Sequence, residues 1–295
     1  MRPSLVQLVK TAIIAVALAT LAGCSALRLA YNNGPLVTWW WLDGYVDFSG
    51  DQVPRAKAAL DQLFTWARGN QLPEFAQLLT AAQGEVLLPT TPAQACRWQA
   101  TVRERLEPAL QHTLGLAAEQ LPGLGEAQWA HLAGRFQKKN AEMRRDFLQP
   151  DLEERRERAV ARVVERAEML YGELGEAQLK VISAGVSASP FDPQAWLQER
   201  ERRQRETLAT LRRLQQEKAP RDVAVAGLRR LVDQMERSAD PAYRSYQLRL
   251  NEYNCQFAAQ VHNSTTPAQR QHARDKLQGW VEDLRALSAQ RADPR

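Results

Sequence analysis

Asp43 and Asp47 stand four residues apart with Trp40 just before them, the spacing in this chain best suited to chemistry. Two carboxylates on one side of a helix could work as a general acid–base pair. With an indole beside them they could instead hold a cationic group or a sugar, through cation–π contact and charge-assisted hydrogen bonds. Like charges at this spacing repel, so a compensating group is required, and an arginine from elsewhere in the chain is the expected one. On a helix over residues 36–48, Val37, Trp41 and Phe48 share a narrow arc with Tyr45 beside them. Leu36, Trp40, Asp43 and Asp47 fall on nearly the opposite side, with Trp39 at its edge. The expectation is therefore Trp41 in the core and Trp40 beside the acids.

Little else in the chain offers chemistry. There is no P-loop, no dinucleotide glycine pattern, no nucleophile elbow and no His-Glu-x-x-His. His112, His131, His262 and His272 have no second histidine at i+3 or i+4 and no cysteine at zinc-finger spacing, so neither a metal nor a cofactor is expected. His262 is expected near a helix C-terminus, where a protonated imidazole suits the helix dipole.

The elements that must position these residues are helices. Apolar periodicity is helical almost throughout, and strand signals are nearly absent. Ser49, Thr91 and Thr266 each open a Ser/Thr-x-x-Gln capping box, with Gln52, Gln94 and Gln269 as the returning side chains. Leu-Gly-Glu-Ala-Gln occurs at 124–128 and again at 174–178, with glycine in the cap position. The residues that follow the two copies differ, so they read as recurring caps rather than a repeat unit. Asp192-Pro193 and Asp240-Pro241 mark two more starts. Helices are expected over 36–48, 51–69, 73–84, 92–120, 126–171, 176–187, 193–218, 221–238, 241–262 and 267–290. The fold class is all-α, a bundle of about nine or ten helices. Residues 149–158 and 198–207 are so charged that one or two long helices are expected to project partly from the bundle or run along its surface.

The N-terminus carries address signals. Arg2 and Lys10 form a positive start ahead of an apolar run over 11–21, too short to span a bilayer comfortably, and small residues lead to a cysteine. Leu21-Ala22-Gly23-Cys24 resembles the lipobox of bacterial lipoproteins. That resemblance implies a cleaved signal peptide over 1–23, lipidation of Cys24 and membrane attachment through the lipid. Ser25, where a retention aspartate would stand, implies the periplasmic face of the outer membrane in preference to the inner membrane. Residues 24–35 are then a short tether, 36–290 a periplasmic body and 291–295 a tail. A cleaved signal removes Arg2 and Lys10, taking 39 basic residues to 37 against 34 acidic ones. A net charge of +3 on so large a body gives no reason to expect nucleic acid. The two remaining cysteines, Cys96 and Cys255, are either one disulfide or two buried thiols, and an oxidising compartment favours the disulfide.

The stretches 24–48, 63–79 and 252–287 together resemble an uncharacterised family of proteobacterial lipoproteins with a domain of unknown function. The resemblance implies an all-α lipoprotein and draws Tyr31, Asn32, Trp40, Asp43, Tyr45, Asp47, Cys96 and Cys255 into one set. Of these, Trp40, Asp43, Asp47, Tyr31 and Asn32 are the candidate binding residues. Trp66-Ala67-Arg68 stands where related chains have Trp-His-Arg, which removes a histidine there from consideration. The Leu-x-x-x-Gln starts at Leu124 and Leu174 are similar to motifs of small periplasmic all-α stress chaperones, with glycine in place of threonine. The expected function is non-enzymatic: an anchored envelope interaction or scaffold protein with envelope protein partners. A client-binding chaperone is the alternative, and a glycan-binding protein or hydrolase using Asp43 and Asp47 a second one.

Overall fold

The computed structural model describes residues 26–290, so the expected signal peptide, Cys24 and the 291–295 tail lie outside the described residues. Among those residues there are eleven α-helices, a single 3₁₀ turn and no strand. They are α1 (Ala26–Asn32), α2 (Gly34–Val46), α3 (Gln52–Glu85), α4 (Pro92–Gln120), α5 (Glu126–Phe147), α6 (Leu152–Tyr171), α7 (Glu176–Ser187), α8 (Pro193–Gln216), α9 (Arg221–Glu236), α10 (Pro241–Ser264) and α11 (Pro267–Ala289). None is long and apolar enough to cross a membrane.

The helix starts follow the local chemistry. Thr91 and Thr266 form complete capping boxes: each hydroxyl accepts the N3 amide at 3.2 Å, and each cap amide donates to the glutamine at 2.8 Å. Asp151, Asp192 and Asp240 accept first-turn amides on α6, α8 and α10.

Two proline positions depart from expectation. Helix α3 runs through Pro73 unbroken, where the sequence suggested a break between two helices. Leu72 and Ala76, on either side of it, are buried against Val281, Leu284 and Leu287 of α11, and this packing holds the helix together despite the missing amide. The opposite happens at Pro150. The single helix expected over 126–171 is divided into α5 and α6, because a proline forces the residue before it out of helical conformation and Asp151 then caps afresh. The tether stretch 24–35 also contains α1, which packs on α11 and α2.

The longest seam joins α3 to α11. It is antiparallel: Arg68 of α3 donates to the carbonyl of Leu287, while the segment after α3 meets the end of α10 through Thr90 and Asn263. Helix α4 lies against α3, α9 and α10; α5 pairs with α2 and α8; α7 bridges α6 and α10. One apolar cluster fills the α4–α5–α8–α9 end around Trp129, Leu121, Leu124 and Leu214. Another fills the α6–α7–α10 end around Ile182, Leu174 and Val261. There Gly185 lets Phe257 lie directly against α7, since a Cβ at that position would come within 2.2 Å of the ring.

The returning glutamines do more than cap. Gln52 donates to the carbonyl of Gly123 at 2.6 Å, and Gln128 donates to that of Asp47 at 3.3 Å and to Gln52 itself. The other Leu-Gly-Glu-Ala-Gln copy repeats this arrangement. Gln269 donates to Glu173 O at 2.8 Å, and Gln178 donates to Ser264 O and to Gln269, both at 3.0 Å. Each glutamine reaches the carbonyl of the residue five before the other glutamine, so the two helix starts of each pair are clasped together. The Ser49 box expected at the first of them does not form, since α3 starts at Gln52 after Asp51 and the Gln52 amide donates to the Ser49 carbonyl rather than its hydroxyl.

The charged stretch 198–207 does not project. It forms a polar seam in α8, where Asn140 of α5 is buried between Arg200 and Gln204, and Arg144 pairs with Glu201. Glu199 is 4 % exposed and holds Arg202 through two bonds and Ser238 Oγ through a third. Burial acts against its charge, but the bonds to Arg202 and Ser238 outweigh it and hold the carboxyl below its usual range. Charges can lie inside a helix interface when they satisfy one another. In 149–158, by contrast, Arg156 pairs with Glu153 and Arg158 with Glu154 on an exposed face of α6.

His262 is buried rather than a charged cap. Its Nε2 lies 2.7 Å from Leu88 O and its Nδ1 2.8 Å from the Tyr171 hydroxyl, so the neutral ring donates to one and accepts from the other. Burial pulls its pKa below the ordinary 6.5, with the Leu88 carbonyl opposing and Arg270 adding to the fall. The Tyr171 phenol is pushed up to about 12, also by burial, and keeps its proton to donate. The unfolded chain therefore takes up a proton on His262 before the folded chain does. Stability present above pH 6.5 is lost as pH falls through that value toward the lower folded pKa. Thermal melts between pH 7.5 and 5.5 are expected to show this loss, and His262→Gln, less stable throughout, is expected to show a flatter profile over the same range.

Candidate functional site

Helix α2 carries the residues singled out above, and the structure turns it the other way. Trp39 is the buried tryptophan, at 8 % exposure, packed with Ala56 and Leu60 of α3 and stacked on Phe48 at 5.6 Å. Trp41 is 62 % exposed and Trp40 66 %. The expectation of Trp41 in the core is thus corrected. Apolar residues occupy every side of α2, so periodicity alone points nowhere, and tertiary packing selects the Trp39–Leu42–Val46 side. Trp41 instead lies over Tyr45, with ring centroids 4.9 Å apart, and Tyr45 reaches Phe136 of α5.

The two carboxylates do not form a pair with an arginine between them. Asp43 accepts the Phe48 amide at 3.0 Å and so holds the turn that follows α2. Asp47 is the left-handed residue that ends the helix, with φ 59° and ψ 64°. Aspartate tolerates that conformation better than most residues. Its side chain points outward, with the carboxylate 3.9 Å from Nδ1 of His131, while Nε2 of His131 donates to Gly44 O at 3.2 Å. The expected arginine is therefore absent from the bonds made by these acids: a backbone amide serves Asp43, and a histidine stands near Asp47. The nearby Arg135 lies over the Tyr45 ring at 5.3 Å.

Tyr31 and Asn32 belong to a different cluster, centred on Arg68. The Tyr31 hydroxyl donates to Phe64 O at 3.0 Å, and its ring meets Phe64 edge-on. Burial raises the phenol above its ordinary pKa, against the pull of Arg68. Arg68 lies over the Tyr31 ring and donates to Asn32 Oδ1 at 3.1 Å, to Leu287 O at 3.1 Å and to Gln290 Oε1 at 2.9 Å. One guanidinium thus joins α1 to the α3–α11 seam. Arg28 adds a second tie to α11, at 2.8 Å from Asp283. Sequence reasoning missed Arg68 as the organiser, though Trp66-Ala67-Arg68 had drawn notice.

Cys96 and Cys255 stand at disulfide distance, with sulfurs 2.00 Å and Cα atoms 5.3 Å apart, joining α4 to α10. Among the described residues no group of three or more His, Cys, Asp or Glu side chains is arranged to hold a metal. His112 stacks on Trp66 at 4.6 Å instead.

Residues 44–244 match a family of unknown function (DUF6279). The chain belongs to this family. No curated protein and no solved structure matches it. The DUF6279 match takes in Tyr45, Asp47 and Cys96, whereas Tyr31, Asn32, Trp40, Asp43 and Cys255 lie outside its bounds.

What remains on α1 and α2 is an uncharged outer face. Leu29, Leu36, Val37, Trp40 and Trp41 are between 49 % and 66 % exposed. The other exposed positions from 26 to 41 are Ala26, Ala30, Asn32 and Asn33. In a chain with 25 % charged residues, such a run of exposed apolar surface stands out from the rest of the described surface.

Proposed function

We propose that the chain is a lipid-anchored protein on the periplasmic face of the outer membrane, of proteobacterial type, acting through non-enzymatic contacts with envelope proteins. The observation that carries this reading is the exposed, uncharged α1–α2 face beginning two residues after Cys24. The bond from the Phe48 amide to Asp43 further supports it, since one oxygen of that carboxylate is engaged in holding the turn after α2. In detergent phase separation of cell extracts, the wild type is expected in the detergent phase and Cys24→Ser in the aqueous phase. An aqueous wild type would overturn the anchoring. A reproducible hydrolytic activity abolished by Asp43→Asn would overturn the non-enzymatic part.

A client-binding role is the second reading, favoured by an open groove of about 700 Å³ between α4 and α9. Leu106, Leu110 and Val232 line it together with Arg103, Glu107 and Arg229, a mixed apolar and charged surface. Suppression of the aggregation of an unfolded client at near-stoichiometric ratios is its expected sign.

A further inference from the structure

We propose that the α1–α2 face docks flat on a phospholipid surface, so that the body lies against the bilayer instead of hanging from a tether. The inference deepens the anchoring reading and rests on it. Three observations select lipid as the occupant.

The first is position. The described chain starts two residues beyond Cys24, and two residues extend about 7 Å. A tether of twelve flexible residues would have allowed the body to stand well clear, but α1 removes most of that length. In sequence, the apolar run 11–21 comes just before, and α1 is the first described element after it.

The second is rigidity. Backbone bonds continue across the α1–α2 junction, from Asn33 N–H to Leu29 O at 3.1 Å and from Val37 N–H to Asn33 O at 3.0 Å. Helix α1 is held to the body by Arg68 and by the Arg28–Asp283 pair, and α2 by the buried Trp39. Leu29, Val37, Trp40 and Trp41 are therefore carried outward on a fixed surface about 18 Å long.

The third is chemistry. Two tryptophans with leucine and valine, at exposed positions free of charge from 26 to 41, suit the boundary between headgroups and acyl chains. Along the chain, the next exposed charge is Asp47, where α2 ends and the chain turns back to α3, while Lys57 of α3 lies over the Trp39 ring at 4.9 Å beside the face. An anionic group there limits the contact to the length of the two helices.

The test uses the lipidated full chain in phosphatidylethanolamine–phosphatidylglycerol vesicles whose acyl chains carry bromine. Bromine quenches only those tryptophans that reach the acyl region. The wild type is expected to co-float with the vesicles and to be quenched. Trp40→Phe/Trp41→Phe is expected to co-float equally and to lose about half or more of that quenching, because the two rings are the ones placed at the interface. Both side chains are exposed, so the variant keeps the fold, and circular dichroism checks this. Equal quenching of wild type and variant in co-floating protein overturns the docking while leaving the anchor in place. The same holds if the wild type co-floats unquenched, or if a second copy or another protein shields the two rings. Failure of the wild type to co-float overturns both.

Discussion

Loss of the Cys96–Cys255 bond is expected to lower the unfolding free energy of the chain by about 5 kcal/mol. The two residues are 159 apart in sequence, and closing so long a loop removes a large share of the unfolded chain's freedom. The folded state itself loses little, because α4 and α10 also pack on each other and Cys255 is buried among them. Urea unfolding of the wild type, with and without reductant, against Cys96→Ser/Cys255→Ser measures the effect. The expected pattern is a lower midpoint for the double variant and for the reduced wild type, with no further response of the variant to reductant. A drop below about 1 kcal/mol would mean that the bond does not form, or that the unfolded chain is already confined there.

Leu287→Ala is expected to cost about 3–4 kcal/mol. Leu287 is completely removed from water, in the α3–α11 seam among Leu72, Ala76, Val281 and Leu284. Truncation there loses the transfer energy of the side chain and leaves a hole that two long helices cannot both move to fill. The bond from Arg68 reaches the Leu287 carbonyl and survives the change, so the loss reports packing alone. Leu248→Ala is the control: its side chain is 68 % exposed, and its cost is expected to stay within about 0.5 kcal/mol.

Much of the helical framework could be read in advance, because starts are local events. Thr91, Thr266, Asp192 and Asp240 cap where their side chains allow, whatever the rest of the chain does. The errors arose wherever a distant partner decides. Pro73 stays inside a helix because α11 covers both sides of it, and α11 is some two hundred residues away in sequence. Trp39 exchanges places with Trp41 because α2 is apolar all round, leaving α3 and α5 to choose its orientation. The glutamines of the two Leu-Gly-Glu-Ala-Gln copies announced themselves as caps, but nothing in their own neighbourhood names Gln52 and Gln269 as the residues they meet. Of the candidate site, Trp40, Asp43 and Asp47 read as one group meeting an internal arginine, whereas the two acids make their contacts with the Phe48 amide and His131. Asp43 looked like half of an acid pair, and only the path of the chain after Val46 makes it the acceptor for Phe48.

The α3–α11 seam bears on the order in which the chain can fold. Helix α3 comes early and α11 is the last helix among the described residues, yet each supplies the other's main apolar partner. A chain delivered from its N-terminus holds Leu72, Phe75, Ala76 and Leu79 uncovered until its final helix arrives. Contacts this far apart in sequence also make closure slow. Helix α3 thus gains its main apolar partner only when α11, some two hundred residues later in the chain, is at hand.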